Sequence, residues 1–438
     1  MREELLHFIW RHRYFNQQEL FTEAGESLQI LSPGELHRDQ GPDCRNARII
    51  IGGRSYTGPV EIHVRASDWV RHAHDGDEHY RDTILHVVWE NDWRGGEEKP
   101  PMPGGIPMLV LQSRVSKLLL DRYDRWMKGP VFVPCEGQLG QVDDGLREGW
   151  QQELVLQRLH RRTLFIQECL EANRQHWEGV AWQLIAQSMG SPVNKAAFGS
   201  MARSLPVELL ARQRSQPVQL EALLLGQAGL LEGAFGEDYP QLLQREYRFL
   251  QTKWGLRPVG EPVSFLRMRP AHFPTVRLVQ LAALMGTGRG WLSRVLEAGS
   301  PREMLAGTAV AAGGYWENHY ILGRSTEPVP ERDVFGKGAA SGPKRLGPDM
   351  RQCLLVNAFI PLLYAYGCLR NEPAYSRKAL AWLKELKAER NVLLRGWRRL
   401  GVSPVHAADG QALLELKHEY CNKRRCLDCA IGCALLGQ

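Results

Sequence analysis

The sequence predicts an α/β N-terminal domain built on a mixed sheet, then a mostly α-helical domain that ends in a cysteine-rich, metal-binding tail. Three observations predict it. β-Branched and alternating segments crowd into the first 111 residues, apolar residues at helical spacing recur from Gly149 to Leu400, and four of nine cysteines fall in the last eighteen residues. The boundaries expected from these shifts are 1–136, 137–417 and 418–438.

Taken in order, Leu5, Leu6, Ile9 and Trp10 have helical spacing and predict a first helix over Glu3 to Arg13. Ser27 to Leu31 reads as a strand closed by Pro33-Gly34. Ala47 to Ile51 is a second strand, and Gly52-Gly53 supplies the positive φ of a hairpin turn. The chain then returns through Val60 to Arg65, where alternation sets Val60, Ile62 and Val64 on one face and Glu61, His63 and Arg65 on the other. A two-residue turn sets Glu61 opposite Cys44; a three-residue turn sets His63 opposite Asp43 and gathers Asp43, Glu61 and His63 on one face. Both registers are open to this sequence. A Gly/Pro-rich loop over 95–107, a strand at Met108 to Leu111 and a helix from Val115 to Trp126 complete the domain.

The stretch from Gly41 to Asp92 is the candidate site. It holds five of the 14 histidines together with Asp43, Glu61, Asp68 and Asp77. An aspartate opening one hairpin strand and an ExH on the next resembles the PD-(D/E)xK, or restriction-endonuclease-like, nuclease superfamily. The resemblance implies a restriction-endonuclease-like mixed sheet in which Asp43 and Glu61 bind a divalent metal. It also implies that His63, in place of the usual lysine, orients or deprotonates the attacking water. Hard carboxylates suit Mg²⁺ or Mn²⁺, and such an ion lowers the pKa of water and offsets phosphate charge. Arg65 on the same face would supply the positive charge that lysine normally brings. Ser67-Asp68-Trp69 with His72-Ala73-His74 resembles the Trp and His-x-His segment of very-short-patch-repair-type endonucleases, which makes His72 and His74 candidate ligands. Asp68 also suits the cap of a short helix and Asp77 a turn with Gly76. Glu35 and His37 lie close enough in sequence to join.

A broader resemblance runs nearly end to end. Gly41-Pro42-Asp43, Val60 to Val64, Ile84 to Asp92, Arg269 to Leu278, Tyr315 to Tyr320 and Tyr420 to Gly432 resemble an uncharacterised bacterial family, domain of unknown function 2851.

The remainder reads as helix over Gly149–Ala172, Val180–Met189, Pro206–Leu210, Leu220–Leu231, Val276–Met285, Met350–Tyr366 and Tyr375–Leu400, with a long Gly/Pro-rich loop over 327–347. Arg158, His160, Arg161 and Arg162 form a basic band on the first of these. Arg267, Arg269 and Arg277 flank a two-proline loop and suit phosphate contact. Tyr315 to Tyr320 reads as aromatic core. In the tail, Cys421, Cys426, Cys429 and Cys433 give four soft ligands within thirteen residues, the number that Zn²⁺ or a [4Fe-4S] cluster takes. Their spacing is similar to the compact cysteine loops of some DNA-repair glycosylases. Cys433 is the weakest of the four, with His418 as its substitute. Lys423, Arg424 and Arg425 inside the loop would face phosphates.

The chain of 438 residues is 43% apolar and 24% charged, ordinary for a soluble protein. No apolar run reaches 18 residues, and the first six include Arg2, Glu3 and Glu4 rather than a signal sequence, so a cytoplasmic protein with no membrane partner is expected. Net charge is +6, and from Lys384 to Arg425 ten Lys or Arg face five Asp or Glu. The function expected is metal-dependent phosphodiester cleavage, with DNA favoured over RNA as partner. Its rivals are a non-catalytic nucleic-acid-binding protein on the same fold and a metal-dependent hydrolase of small molecules.

Overall fold

A computed structural model of the chain describes residues 1–37, 40–93, 105–288, 290–325 and 342–438. Most of the two Gly/Pro-rich loops expected at 95–107 and 327–347 lies outside the described residues. The described chain falls into two compact units, one formed by Met1–Trp150 with Lys417–Gln438 and the other by Gln151–Leu416. The cysteine-rich tail therefore belongs to the N-terminal unit rather than standing as a separate element.

In the N-terminal unit the first helix, α1 (Glu3–His12), buries Leu5, Leu6, Phe8, Ile9 and Trp10, and Arg13 ends it in the left-handed region. The sheet comprises β1 (Leu28–Ser32), the two-residue β2 (Glu35–Leu36), β3 (Cys44–Ile51), β4 (Arg54–Arg65), β5 (Leu85–Glu90) and β6 (Met108–Val110). It is mixed, in the order β1-β3-β4-β5-β6, with β2 also on β3. β3 pairs antiparallel with β1 and β4, while β4, β5 and β6 run parallel. Between β4 and β5 the chain passes through α2 (Asp68–Arg71) and two 3₁₀ turns, His74–Gly76 and Glu78–Tyr80. Helix α3 (Lys117–Met127) follows.

The tail attaches to this unit through backbone carbonyls. Arg122 on α3 donates to Leu435 O, and Arg424, held at positive φ, donates to Trp126 O and Gly129 O. Tyr420 packs edge-on against Trp150. A terminal helix of seven residues, Ala430–Leu436, is too short to persist alone, and burying Ile431, Leu435 and Leu436 on this unit supplies what it lacks.

The division between units falls inside one helix, α4 (Asp144–Ala172). The second unit is helical apart from short two- and three-residue strands. Trp177–Met189 is buried nearly all round and forms its centre, as does much of Pro274–Met285. Pro348–Leu369 is long and apolar enough to cross a membrane by length and composition, but 61% of its apolar window is buried within the protein. The single helix expected over Tyr375–Leu400 is two, Pro373–Glu385 and Val392–Arg399. Asn391 caps the second, its side chain accepting from Leu394 N at 2.8 Å, and such a cap restarts a helix rather than continuing one. The basic band on α4 is largely tied down: Arg158 and Arg161 share the buried Glu415 carboxylate, and Arg162 donates to Asn357 O. Tyr315 to Tyr320 also turns inward, with Trp316 fully buried and bonded to Glu221, and Tyr315 bonded to Glu237 and stacked on His319.

Candidate metal centre

The site begins with a register that follows the two-residue alternative at the turn and neither expected alternative at Cys44. Gly52 and Gly53, both at positive φ, make a two-residue turn, and Ile51 pairs with Arg54. On its own that turn would set Glu61 opposite Cys44. A bulge between Cys44 and Ala47, with Asn46 at φ 57°, adds one residue to β3, so Cys44 pairs with Val60 instead. A left-handed residue in a bulge re-aims the strand that carries it. The result is a reciprocal clasp. The Asp43 N–H donates to Glu61 Oε2 at 3.1 Å, and the Ile62 N–H donates to Asp43 Oδ2 at 3.0 Å.

Alternation places Glu61 and His63 on one face of β4, and both are nearly inaccessible, at 4% and 1% exposed. Alternation alone predicts a wet face here; instead both faces are buried, because α1 and the connection through α2 cover the strand. His63 Nε2 lies 3.3 Å from Glu61 Oε1 and 3.2 Å from His72 Nδ1, and its Nδ1 lies 3.0 Å from His86 Nε2. His74 Nε2 stands 3.4 Å from the same Glu61 oxygen, with its ring stacked on Tyr80 at 3.8 Å. His63, His72 and His74 each offer one ring nitrogen within 4.8 Å of the others. Trp69 closes the cluster, meeting His63, His74 and His86 at 5.1 to 6.5 Å.

A second group adjoins it. His7 Nε2 on α1 lies 3.3 Å from Asp43 Oδ2 and 3.8 Å from Glu3 Oε1, and one ligand atom from each of Glu3, His7 and Asp43 lies within 4.8 Å of the others. The buried nitrogens His7 Nε2, His74 Nε2 and His86 Nδ1 have no hydrogen bond of good geometry. Buried polar atoms are rarely left so. Imidazole nitrogens beside carboxylate oxygens are the donor set that Mn²⁺ and other first-row divalent ions take, so the residues fit a metal ion.

Burial governs the protonation of these groups. It pushes Glu61 up to about 8, reinforced by Asp43 and Glu3 against the Asp43 N–H, which favours the charged form. Burial, with the neighbouring histidines, drives His63 down to about 2, and burial with His74 takes His86 to about 3. His74 is also lowered, by burial and His72. Burial would lower His7 as well, but Asp43 overrides it and raises the ring. Burial thus favours the neutral form of His63, His74 and His86 and the protonated form of Glu61.

Other expected residues stand elsewhere. Arg65 is exposed, its Nε bonded to Glu90 at 3.0 Å. Asp68 accepts from Arg65 N and pairs with Arg71, fixing the start of α2. Asp77 caps the Glu78–Tyr80 turn by accepting from His79 N, and its carboxylate also meets the His79 ring. Glu35 is exposed on β2 opposite Arg45. In the second unit Arg267 and Arg269 are exposed, but Arg277 is buried at 8% and donates to Gln280 on its own helix, away from any surface a phosphate could reach. Within the tail, Lys423 pairs with Glu419, Arg425 with Asp428, and Arg424 binds the two carbonyls already described. Cys426 and Cys429 are buried, whereas Cys421 and Cys433 are half-buried.

Sequence reasoning does not pick out Glu3 and His7. Their signal is faint: an acid and a histidine four apart on the first helix, hence on one face. His86, taken singly, reads as an ordinary strand histidine, because its partners lie on other strands and loops.

A family model described as "Protein of unknown function (DUF2851)" matches residues 3–392, and the chain belongs to that family. No curated protein matches the chain, and no solved structure does.

Proposed function

We propose that this member of the DUF2851 family is a metal-dependent nuclease, its ion held by Asp43, Glu61, His63, His72 and His74. The observation that carries the reading is the bulge at Asn46. It brings the two acids of the PD-(D/E)xK-like hairpin side by side, Glu61 against His63 and His74 and Asp43 against His7. The first helix and the mixed sheet are what that resemblance implies.

When bound, the ion would supply a Lewis acid and a water acidic enough to attack phosphorus near neutral pH. The chain's own residues do the rest. Glu61 would release its proton on binding, His86 holds the His63 ring through its Nδ1, and Trp69 and Tyr80 exclude bulk water. His63 sits where the resemblance expects a lysine, and a ring held neutral down to about pH 2 would serve as ligand rather than as proton acceptor. The imidazoles favour Mn²⁺ over Mg²⁺, which prefers oxygen.

A nucleic-acid partner is supported by the second unit. An open groove of about 780 Å³ is lined by Lys387, Arg390, Arg395 and Arg398 without any carboxylate, the composition that follows a phosphate backbone. The missing lysine keeps one rival in play, a nucleic-acid-binding protein without cleavage. Incubating the protein with labelled single- and double-stranded DNA and RNA in Mn²⁺, Mg²⁺ or chelator separates the two. Metal-dependent cutting that Glu61→Ala abolishes supports the nuclease; salt-sensitive binding without cutting supports the rival. The tail cysteines would hold the Zn²⁺ or [4Fe-4S] group.

A further inference from the structure

A fifth cysteine joins the tail. Cys135 lies in the segment after α3 that Arg424 grips through Trp126 O and Gly129 O. Its thiol stands within electrostatic range of Cys426 and Cys429, and that of Cys421 within range of Cys135, Cys426 and Cys429. Cys433 is engaged differently. Its Sγ donates to Leu427 O at 3.1 Å, as a thiol does and a ligating thiolate cannot.

We propose that Cys135, Cys421, Cys426 and Cys429 hold a [4Fe-4S] cluster, with Cys433 outside the ligand set. Three features of the geometry carry it. Thiolates around one tetrahedral zinc ion, with Zn–S near 2.3 Å, stand about 3.8 Å apart. Among the described residues no three of these thiols come within 4.8 Å of one another, a spread that suits the corners of a four-iron cube. Cys429 is the residue that opens the terminal helix, which sets it directly after the Cys426–Asp428 turn. The loop is also built tightly. A Cβ at Gly432 would meet Cys426 O at 2.2 Å, so only glycine lets the terminal helix close on the Cys426–Asp428 turn.

The surrounding charge agrees. Arg424 near Cys426 and Lys417 near Cys421 offset part of a cluster's negative charge. The proposal stands independently of the nuclease reading, since none of these residues touches the histidine cluster.

The test is anaerobic purification of the full chain, with iron, acid-labile sulfide and zinc measured beside the visible spectrum. The expected result is about four iron and four sulfide per chain with broad visible absorption, retained by Cys433→Ser and lost by Cys135→Ser. Should Cys135→Ser not fold, alkylation of the wild-type chain decides instead: Cys135 should be protected with Cys421, Cys426 and Cys429 until the iron is stripped. One zinc per chain without iron would overturn the cluster. Iron kept by Cys135→Ser but lost by Cys433→Ser, or equal Cys135 labelling before and after stripping, would overturn the ligand set.

Discussion

Replacing Glu61 by glutamine isolates the electrostatics of the candidate metal centre. In the fold Glu61 is raised from 4.5 to about 8, whereas the unfolded chain titrates near the ordinary value. Below pH 4.5 both states hold the proton. Between pH 4.5 and 8 only the folded state does, so folded stability falls by about 1.4 kcal/mol for each pH unit of that window. From pH 6.5 to 8 this amounts to at most about 2 kcal/mol, and water entering around an ionised Glu61 reduces it. His63 and His86 act in the opposite sense, with folded values near 2 and 3, and lose stability as pH falls below 6.5. The range from pH 6.5 to 9 therefore reports Glu61 alone among these three. A side-chain amide cannot ionise, so Glu61→Gln should hold its stability across that range while the wild type declines. The assay is urea unfolding in chelator at half-unit pH steps, then with Mn²⁺, which should stabilise the wild type increasingly with pH and the variant little. Parallel stability profiles for the two proteins in chelator would refute the buried, proton-holding Glu61 on which the reasoning rests.

Further outcomes follow from individual residues. Asn46→Ala keeps a Cβ in the left-handed region without the asparagine's local hydrogen bonding, which should cost about 1 kcal/mol and weaken Mn²⁺ binding by displacing Asp43; Asn46→Gly should retain binding, as isothermal titration would show. Removing one imidazole with His74→Ala should lower Mn²⁺ affinity about 10- to 100-fold while leaving the far-ultraviolet spectrum unchanged. Arg390→Ala and Arg398→Ala together should weaken binding of a mixed-sequence oligonucleotide and reduce the slope of log K against log salt by about 1 to 2, measured by fluorescence anisotropy.

What was legible in the sequence follows from how far apart the cooperating residues stand. Asp43, Glu61 and His63 lie on one hairpin, so alternation and a Gly-Gly turn nearly determine their meeting. The missing piece was a single added residue: nothing in Arg45-Asn46-Ala47 except the asparagine marks a bulge, and that residue decides whether Asp43 or Cys44 faces β4. His7 and Cys135 were hidden for a different reason. One reaches its partners by packing α1 on the sheet and the other by docking the tail against the segment after α3, and neither contact has a local pattern. Arg277 shows the reverse error, where three arginines near one loop suggested a surface. Pro274–Met285 is buried around most of its circumference, and a run as apolar as Val276 to Met285 already indicated a core helix. Much of the second unit was readable as helix because period 3.6 survives local ambiguity, but Ser191–Ser204 and Asp238–Trp254 were not singled out, and the stop before Asn391 depended on one cap.

The most direct test of the account is cleavage of labelled nucleic acid by wild type and Asp43→Ala side by side, in Mn²⁺ and in chelator. The account predicts cutting by the wild type in Mn²⁺, none in chelator, and none by Asp43→Ala, whose fold should persist. Cutting that survives in Asp43→Ala, or no cutting of any substrate by metal-loaded wild type, would contradict it.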